Sequence, residues 1–193
     1  MGQSGYCSEV ETMPGWCGVM SSHVKDWYES EAIEGAELLV FIDGKPVMHQ
    51  VYGWDDREDK KKLQKNQIFR LRSMTKPFIG TSIMMLLEAE KLRLEDSVSK
   101  YLSAFNNPKS NKITIRDLLF HTSGFSMGYP RGSIDDYSNL GEAVADSAEK
   151  GPKYEPGTEY HYADVDSAAL GLIIKTVTGE SPEDFISKKI LEP

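Results

Sequence analysis

The sequence predicts an α+β chain in which β-structure comes first and helices follow. Three observations carry this expectation. Two apolar stretches flank Asp43-Gly44 within 36–54, a long apolar run follows Ser73, and apolar residues at helical spacing fill the second half. Asp-Gly between apolar segments is a strong hairpin signal, because a two-residue turn needs positive φ at both positions. Val47, His49 and Val51 alternate with Met48 and Gln50, the period of a half-buried strand.

The elements are expected in this order. A short helix covers 21–33 and ends before Gly35, the hairpin covers 36–54, and the charged run 55–65 is a solvated loop. A helix over 74–91 has Ser73 as N-cap and Pro77 in its first turn, where proline is tolerated. Phe78, Ile79, Ile83, Met84, Leu86 and Leu87 surround much of that helix, so it is predicted to be central and buried. Shorter helices follow over 114–121 and 141–150. Val165, Ala169, Leu172, Ile173 and Val177 mark an amphipathic helix that Gly179 stops. Ser181-Pro182 opens another, with serine as cap and proline at the first position. The predicted organisation is a loosely ordered segment 1–20, an N-terminal helix and hairpin over 21–72, and a helical domain over 73–193.

Composition removes several classes. The 193 residues carry 22 basic and 30 acidic side chains, a net charge of −8, with 39% hydrophobic residues. That is globular rather than disordered or fibrous. The acidic balance argues against nucleic acid as partner. No apolar run reaches the roughly 20 residues of a membrane span. Cys7 and Cys17 exclude a disulfide scaffold, though not one local bridge, and with no nearby His or Cys cluster they predict no zinc site. No metal or cofactor is expected. The N-terminus lacks the basic start and apolar stretch of a secretory signal. A cytoplasmic chain is therefore expected, or a periplasmic or secreted one if a signal has been removed.

Three arrangements could supply a nucleophile. In Ser-x-x-Lys, serine and lysine share one face of a helix, and the lysine or a neighbour takes the serine's proton. The pattern occurs at Ser22/Lys25, Ser73/Lys76, Ser97/Lys100 and Ser147/Lys150. Only Ser73 opens a long apolar helix that could desolvate its lysine. Gly124-Phe125-Ser126-Met127-Gly128 matches Gly-x-Ser-x-Gly, but the elbow needs a strand before it and a helix after it. A helical stretch precedes this one and a turn follows, so a glycine-rich loop is expected. A Ser-His-Asp system could draw on His23, His49, His121 or His161. His121-Thr122-Ser123-Gly124 reads as a structural helix stop and turn.

Three segments taken together resemble the serine β-lactamase-like superfamily, in the branch of class C β-lactamases, family VIII carboxylesterases and D-stereospecific peptidases. They are RLRSMTKPFIGTSIMMLLEAEKLRLEDSVSKYL, ITIRDLLFHTSGF and PGTEYHYADVDSAALGLIIKTVTGESPEDFISKKILEP. The resemblance runs from about residue 20 to the end in the expected order. It implies a β-lactamase/transpeptidase-like fold, with Ser73 as the acylated nucleophile and Lys76 as its proton partner. The family's second motif is Tyr-Ser-Asn or similar. Tyr137-Ser138-Asn139 matches more literally, but Tyr162-Ala163-Asp164 stands in the right frame, after Pro156-Gly157-Thr158 and before Leu170-Gly171. Tyr162 is therefore chosen, with Tyr160 a lesser rival. Asp164 replaces a neutral amide with an anion. If it pairs with Lys76, it keeps that lysine charged and leaves Tyr162 as the base. Trp54, Phe125 and Tyr129 are candidate acyl-pocket residues.

The third family motif, Lys-Thr-Gly, His-x-Gly or Trp-x-Gly on a later strand, has no counterpart in place. Lys175-Thr176 is followed by Val177, and Trp16-Cys17-Gly18 lies at the wrong end. The expectation is therefore an incomplete fold, with a missing C-terminal segment or a complementary chain as partner. The expected activity is acyl-enzyme hydrolysis of a small-molecule ester or amide, first a carboxylesterase on small esters, then a β-lactamase or D-amino-acid peptidase. A non-catalytic binding member is the alternative of another class.

Overall fold

The computed structural model describes residues 15–192. The chain divides between Arg70 and Leu71 into two compact units.

The first unit is a helix with a three-stranded antiparallel sheet. Helix α1 (Gly15–Glu29) is followed by β1 (Gly35–Ile42), β2 (Lys45–Asp56) and β3 (Lys61–Lys62), in the spatial order β1-β2-β3. The register runs from Gly35 opposite Gly53 to Ile42 opposite Lys45, with an irregularity at Val40/Phe41. Asp43 and Gly44 close the hairpin with φ of 50° and 71°, the positive pair that the turn chemistry predicts. Met48 is the fully buried side chain of β2. Two expectations need correction. Helix α1 begins at Gly15 rather than 21, because Cys17 and Ser21, four apart, form its buried face, and Ser21 Oγ is 2.6 Å from Tyr52 Oη on β2. The charged run 55–65 is not all loop. Lys61–Lys62 pair with Trp54 and Asp56, and Leu63 is buried beyond them. Cys7, and with it any local bridge, lies outside the described residues.

The second unit is helical. A 3-10 turn (Arg72–Thr75) leads into α2 (Lys76–Glu88), then α3 (Ile115–Phe120), α4 (Leu140–Lys150), α5 (Asp164–Thr178) and α6 (Pro182–Ile186). The caps follow the sequence signals. Thr114 and Asp117 form a reciprocal capping box at α3. Asn139 caps α4 and Ser181 caps α6, while Gly179 ends α5 at φ 76°. The core gathers Phe105, Ile113, Ile115, Leu118, Val144, Ile173 and Ile174 around α5.

The central helix is α5, not α2. Eight of its fifteen residues are buried, and α2, α3, α4 and α6 all pack on it. On α2, Ile79, Ser82, Ile83 and Leu86 are buried, but Met84 is 54% exposed. Apolar residues around a helix therefore overstate its burial when only one side meets a neighbour.

Candidate active site

The site grows from two short segments of the second unit. The first is the turn before α2. Arg72 takes φ 52°, a left-handed conformation uncommon for arginine, and Ser73 follows within the 3-10 turn. Ser73 is therefore not the N-cap of α2. Thr75 holds that position and makes no side-chain cap bond. The Ser73 hydroxyl is left for other partners, and Lys76, the first residue of α2, is one of them.

The second segment is the entry to α5. Tyr162 precedes the helix and Asp164 begins it. Lys76 Nζ donates to Ser73 Oγ at 3.3 Å and to Asp164 Oδ1 at 2.8 Å. The Tyr162 hydroxyl donates to Ser73 Oγ at 2.8 Å, and Lys76 Nζ lies 4.9 Å from the Tyr162 ring centroid. The structure thus brings Ser73, Lys76, Tyr162 and Asp164 together across 89 residues of sequence between Ser73 and Tyr162.

The electrostatics follow from this geometry. Partial burial works against the Lys76 charge, but hydrogen bonding to Asp164 and Tyr162 outweighs it and holds the lysine above its ordinary range. The Lys76 ammonium, and then the bond to Ser73, pull the Tyr162 phenol below its ordinary range. Lys76 is a fixed cation here and Tyr162 the softened acid.

The other candidates are occupied elsewhere. The Tyr137 hydroxyl donates to Asp146 at 2.7 Å and accepts from Arg131 N–H, while Asn139 caps α4. The literal Tyr-Ser-Asn match is thus spent on local structure. Tyr160 is exposed and rests edge-on against His121. Ser22 and Ser147 donate back to carbonyls of their own helices, and Ser97 donates to Asn111 O. The Gly-x-Ser-x-Gly segment is a loop, as expected. A Cβ at Gly124 would lie 2.1 Å from Tyr154 O, so only glycine admits this close approach. Trp16-Cys17-Gly18 falls inside α1.

The pocket candidates separate. Phe125 is a core residue, edge-on to Phe105 at 6.2 Å. Tyr129 is partly exposed and lines a cavity of about 330 Å³ with Phe125, Ser126, Met127, Pro130 and Val165. Burial first, then the Asp164 charge, raise its phenol, so it stays a neutral donor. Trp54 belongs to the first unit, where Lys62 Nζ sits 3.4 Å from its ring centroid.

Sequence reasoning missed one cluster. Asp166 is fully buried and uses both oxygens: Ser123 Oγ donates to Oδ1 at 2.6 Å, and His121 Nδ1 lies 2.7 Å from Oδ2. The serine bonds the aspartate and not the histidine, so this is no Ser-His-Asp triad. The bonds of His23, His49 and His161 go to Val19 O, Glu37 and Glu159. Among the described residues, no three His, Cys, Asp or Glu side chains are grouped to hold a metal ion, and no helix is long and apolar enough to cross a membrane.

Residues 20–193 match the family described as Beta-lactamase. The chain belongs to the beta-lactamase family. Protein flp of Staphylococcus aureus (strain MRSA252) is 33% identical over 168 residues, covering 83% of this chain and 33% of that protein. Teichoic acid D-alanine hydrolase of Staphylococcus aureus is 31% identical, covering 87% of this chain and 41% of that protein. The octameric penicillin-binding protein homologue from Pyrococcus abyssi superposes with a TM-score of 0.80 at 28% identity, over 92% of this chain and 42% of that one. The fold is thus β-lactamase/transpeptidase-like and partial. The chain spans about a third of the length of the first curated relatives it matches.

Proposed function

We propose that this chain carries the nucleophile, lysine and tyrosine of a serine hydrolase that works through an acyl-enzyme on Ser73, with small esters as the favoured substrates. The observation that carries this is the convergence on Ser73 Oγ of the Tyr162 hydroxyl at 2.8 Å and Lys76 Nζ at 3.3 Å, with Lys76 itself paired to Asp164.

The chemistry follows from which group can lose a proton. Asp164 keeps Lys76 charged, so the lysine cannot act as base. Its cation instead favours the Tyr162 phenolate. The phenolate takes the Ser73 proton as Oγ forms a bond to the carbonyl carbon. The Ser73 backbone N–H serves as one donor to the developing oxyanion. As the carbonyl re-forms, the bond to the alkoxide breaks and Tyr162 returns the proton to the leaving oxygen. Water then attacks the acyl-Ser73 ester by the same exchange, releasing the acid and restoring the serine. Tyr129, whose phenol feels the Asp164 and Lys76 charges, is the proposed border of the acyl group.

A fluorophosphonate probe tests the reading. Labelling is expected on Ser73 and lost in Ser73→Ala; label retained in that variant, or moved to Ser126, would contradict it. The name of the teichoic acid D-alanine hydrolase relative favours a second reading, release of D-alanine from a teichoic acid. Turnover of a D-alanyl ester exceeding that of the matched acetyl ester would support it. Nitrocefin hydrolysis with neither ester cleaved would favour a β-lactamase.

A further inference from the structure

We propose that His121 is a positioning residue for Tyr162: its imidazole, anchored on buried Asp166, holds the tyrosine ring so that the phenol oxygen meets Ser73 Oγ. The proposal rests on the reading of Ser73 as nucleophile and adds to it a residue that does not touch the serine.

Backbone and side chain both fix His121. It ends α3 at φ 55°, a conformation asparagine also tolerates but most side chains do not. The His161 N–H donates to His121 O at 2.8 Å, joining that position to the segment that carries Tyr162. The ring is set by Asp166, whose second oxygen is taken by Ser123. A carboxylate buried on α5, with a partner on each oxygen, cannot turn without stranding a polar atom.

The free side of the imidazole meets Tyr162. The two ring centroids are 4.7 Å apart at 45°, and Tyr160 stands edge-on to the same imidazole at 6.0 Å. The phenol oxygen lies on the χ2 axis, so its place is set by the backbone and χ1 of Tyr162, and the imidazole packed on the ring resists a swing about χ1. Misplacing a reacting group by about 1 Å can cost roughly a hundredfold in rate. The titratable groups facing Tyr162 are Lys76, Asp164 and His121; those facing His121 are Asp166, Tyr160 and Tyr162, with Asp117 acting on Asp166. A helix stop alone would need the left-handed backbone but not the ring contact.

The test is His121→Asn in the whole chain, since asparagine keeps the left-handed backbone and a polar group toward Asp166 but removes the ring. Fluorophosphonate labelling of Ser73 is expected to slow by about tenfold or more. The ¹³Cζ resonance of Tyr162 is expected to titrate closer to the ordinary tyrosine value of about 10, because the phenol leaves Lys76. Unchanged labelling and unchanged titration in the folded variant would overturn the proposal. If the variant does not fold, the wild-type chain decides: contacts between the two rings in NOE spectra, with three-bond couplings that report a single χ1 rotamer for Tyr162, are expected. A Tyr162 side chain averaged over several χ1 rotamers, with no such contacts, would overturn it. A wild-type Ser73 that takes no label would sink the hydrolase reading, while the tyrosine titration and ring contacts would still judge the positioning.

Discussion

Asp164 and Asp166 stand two residues apart in the first turn of one helix, yet they live in opposite surroundings. Asp164 is 42% exposed and pairs with Lys76, whereas Asp166 is fully buried between His121 and Ser123. Both sit where a helix N-terminus favours an anion. What separates them is the direction each faces. Asp164 stays partly exposed beside Lys76, where solvent screens its charge. Asp166 points into the core, where every polar atom must be matched. One turn of helix thus joins a half-exposed ion-pair partner to a fully buried hydrogen-bond acceptor.

Removing each aspartate should separate these roles, and the larger effect belongs to the buried one. Asp166→Ala strands His121 and Ser123 and is expected to cost about 3–5 kcal/mol. Thermal melting should show this as a drop of roughly 6–20 °C for a chain of this size. A loss no greater than that of Asp164→Ala would break the distinction. Next in size, Thr114→Ala removes one arm of the capping box that starts α3, the helix leading to His121. The expected cost is about 1 kcal/mol by denaturant titration. Smallest in stability is Asp164→Asn, under about 1 kcal/mol, because a half-exposed ion pair contributes little. Its effect should be on chemistry instead. A nearby anion raises the pKa of a phenol, so removing it lets Tyr162 lose its proton at lower pH. The rising limb of the labelling rate against pH is expected to move to lower pH in Asp164→Asn; an unmoved limb would count against the lysine–aspartate pair as a tuning device.

The same contrast explains what the sequence made legible. The hairpin was readable because Asp43-Gly44 needs only neighbouring residues to declare a turn. Ser181 and Gly179 are equally local signals. Ser73 and Lys76 stood out among four identical spacings because an apolar helix followed them, and Tyr162 was chosen over Tyr137 by its surrounding frame. The chain's ordinary means could not reveal three things. Ser73 has the chemistry of a cap, but a positive φ at Arg72 turns the backbone just before it, and no residue type signals that. The apolar composition of α2 predicts a central helix, while the helix on which α2, α3, α4 and α6 pack is α5. The His121–Asp166 contact spans 45 residues and was invisible, since His121 looked complete as a helix stop and Asp166 as an ordinary acid in a first turn.

The central claim is that Tyr162, with Lys76 held charged beside it, accepts the Ser73 proton. The most direct measurement follows the rate of Ser73 labelling across pH beside the ¹³Cζ titration of Tyr162 in the same wild-type chain. Tyr162 is expected to titrate below the ordinary tyrosine value of about 10, the labelling rate to rise with that titration, and Tyr162→Phe to lower the rate by about a hundredfold or more. A labelling rate that ignores the Tyr162 titration and survives in Tyr162→Phe would contradict it.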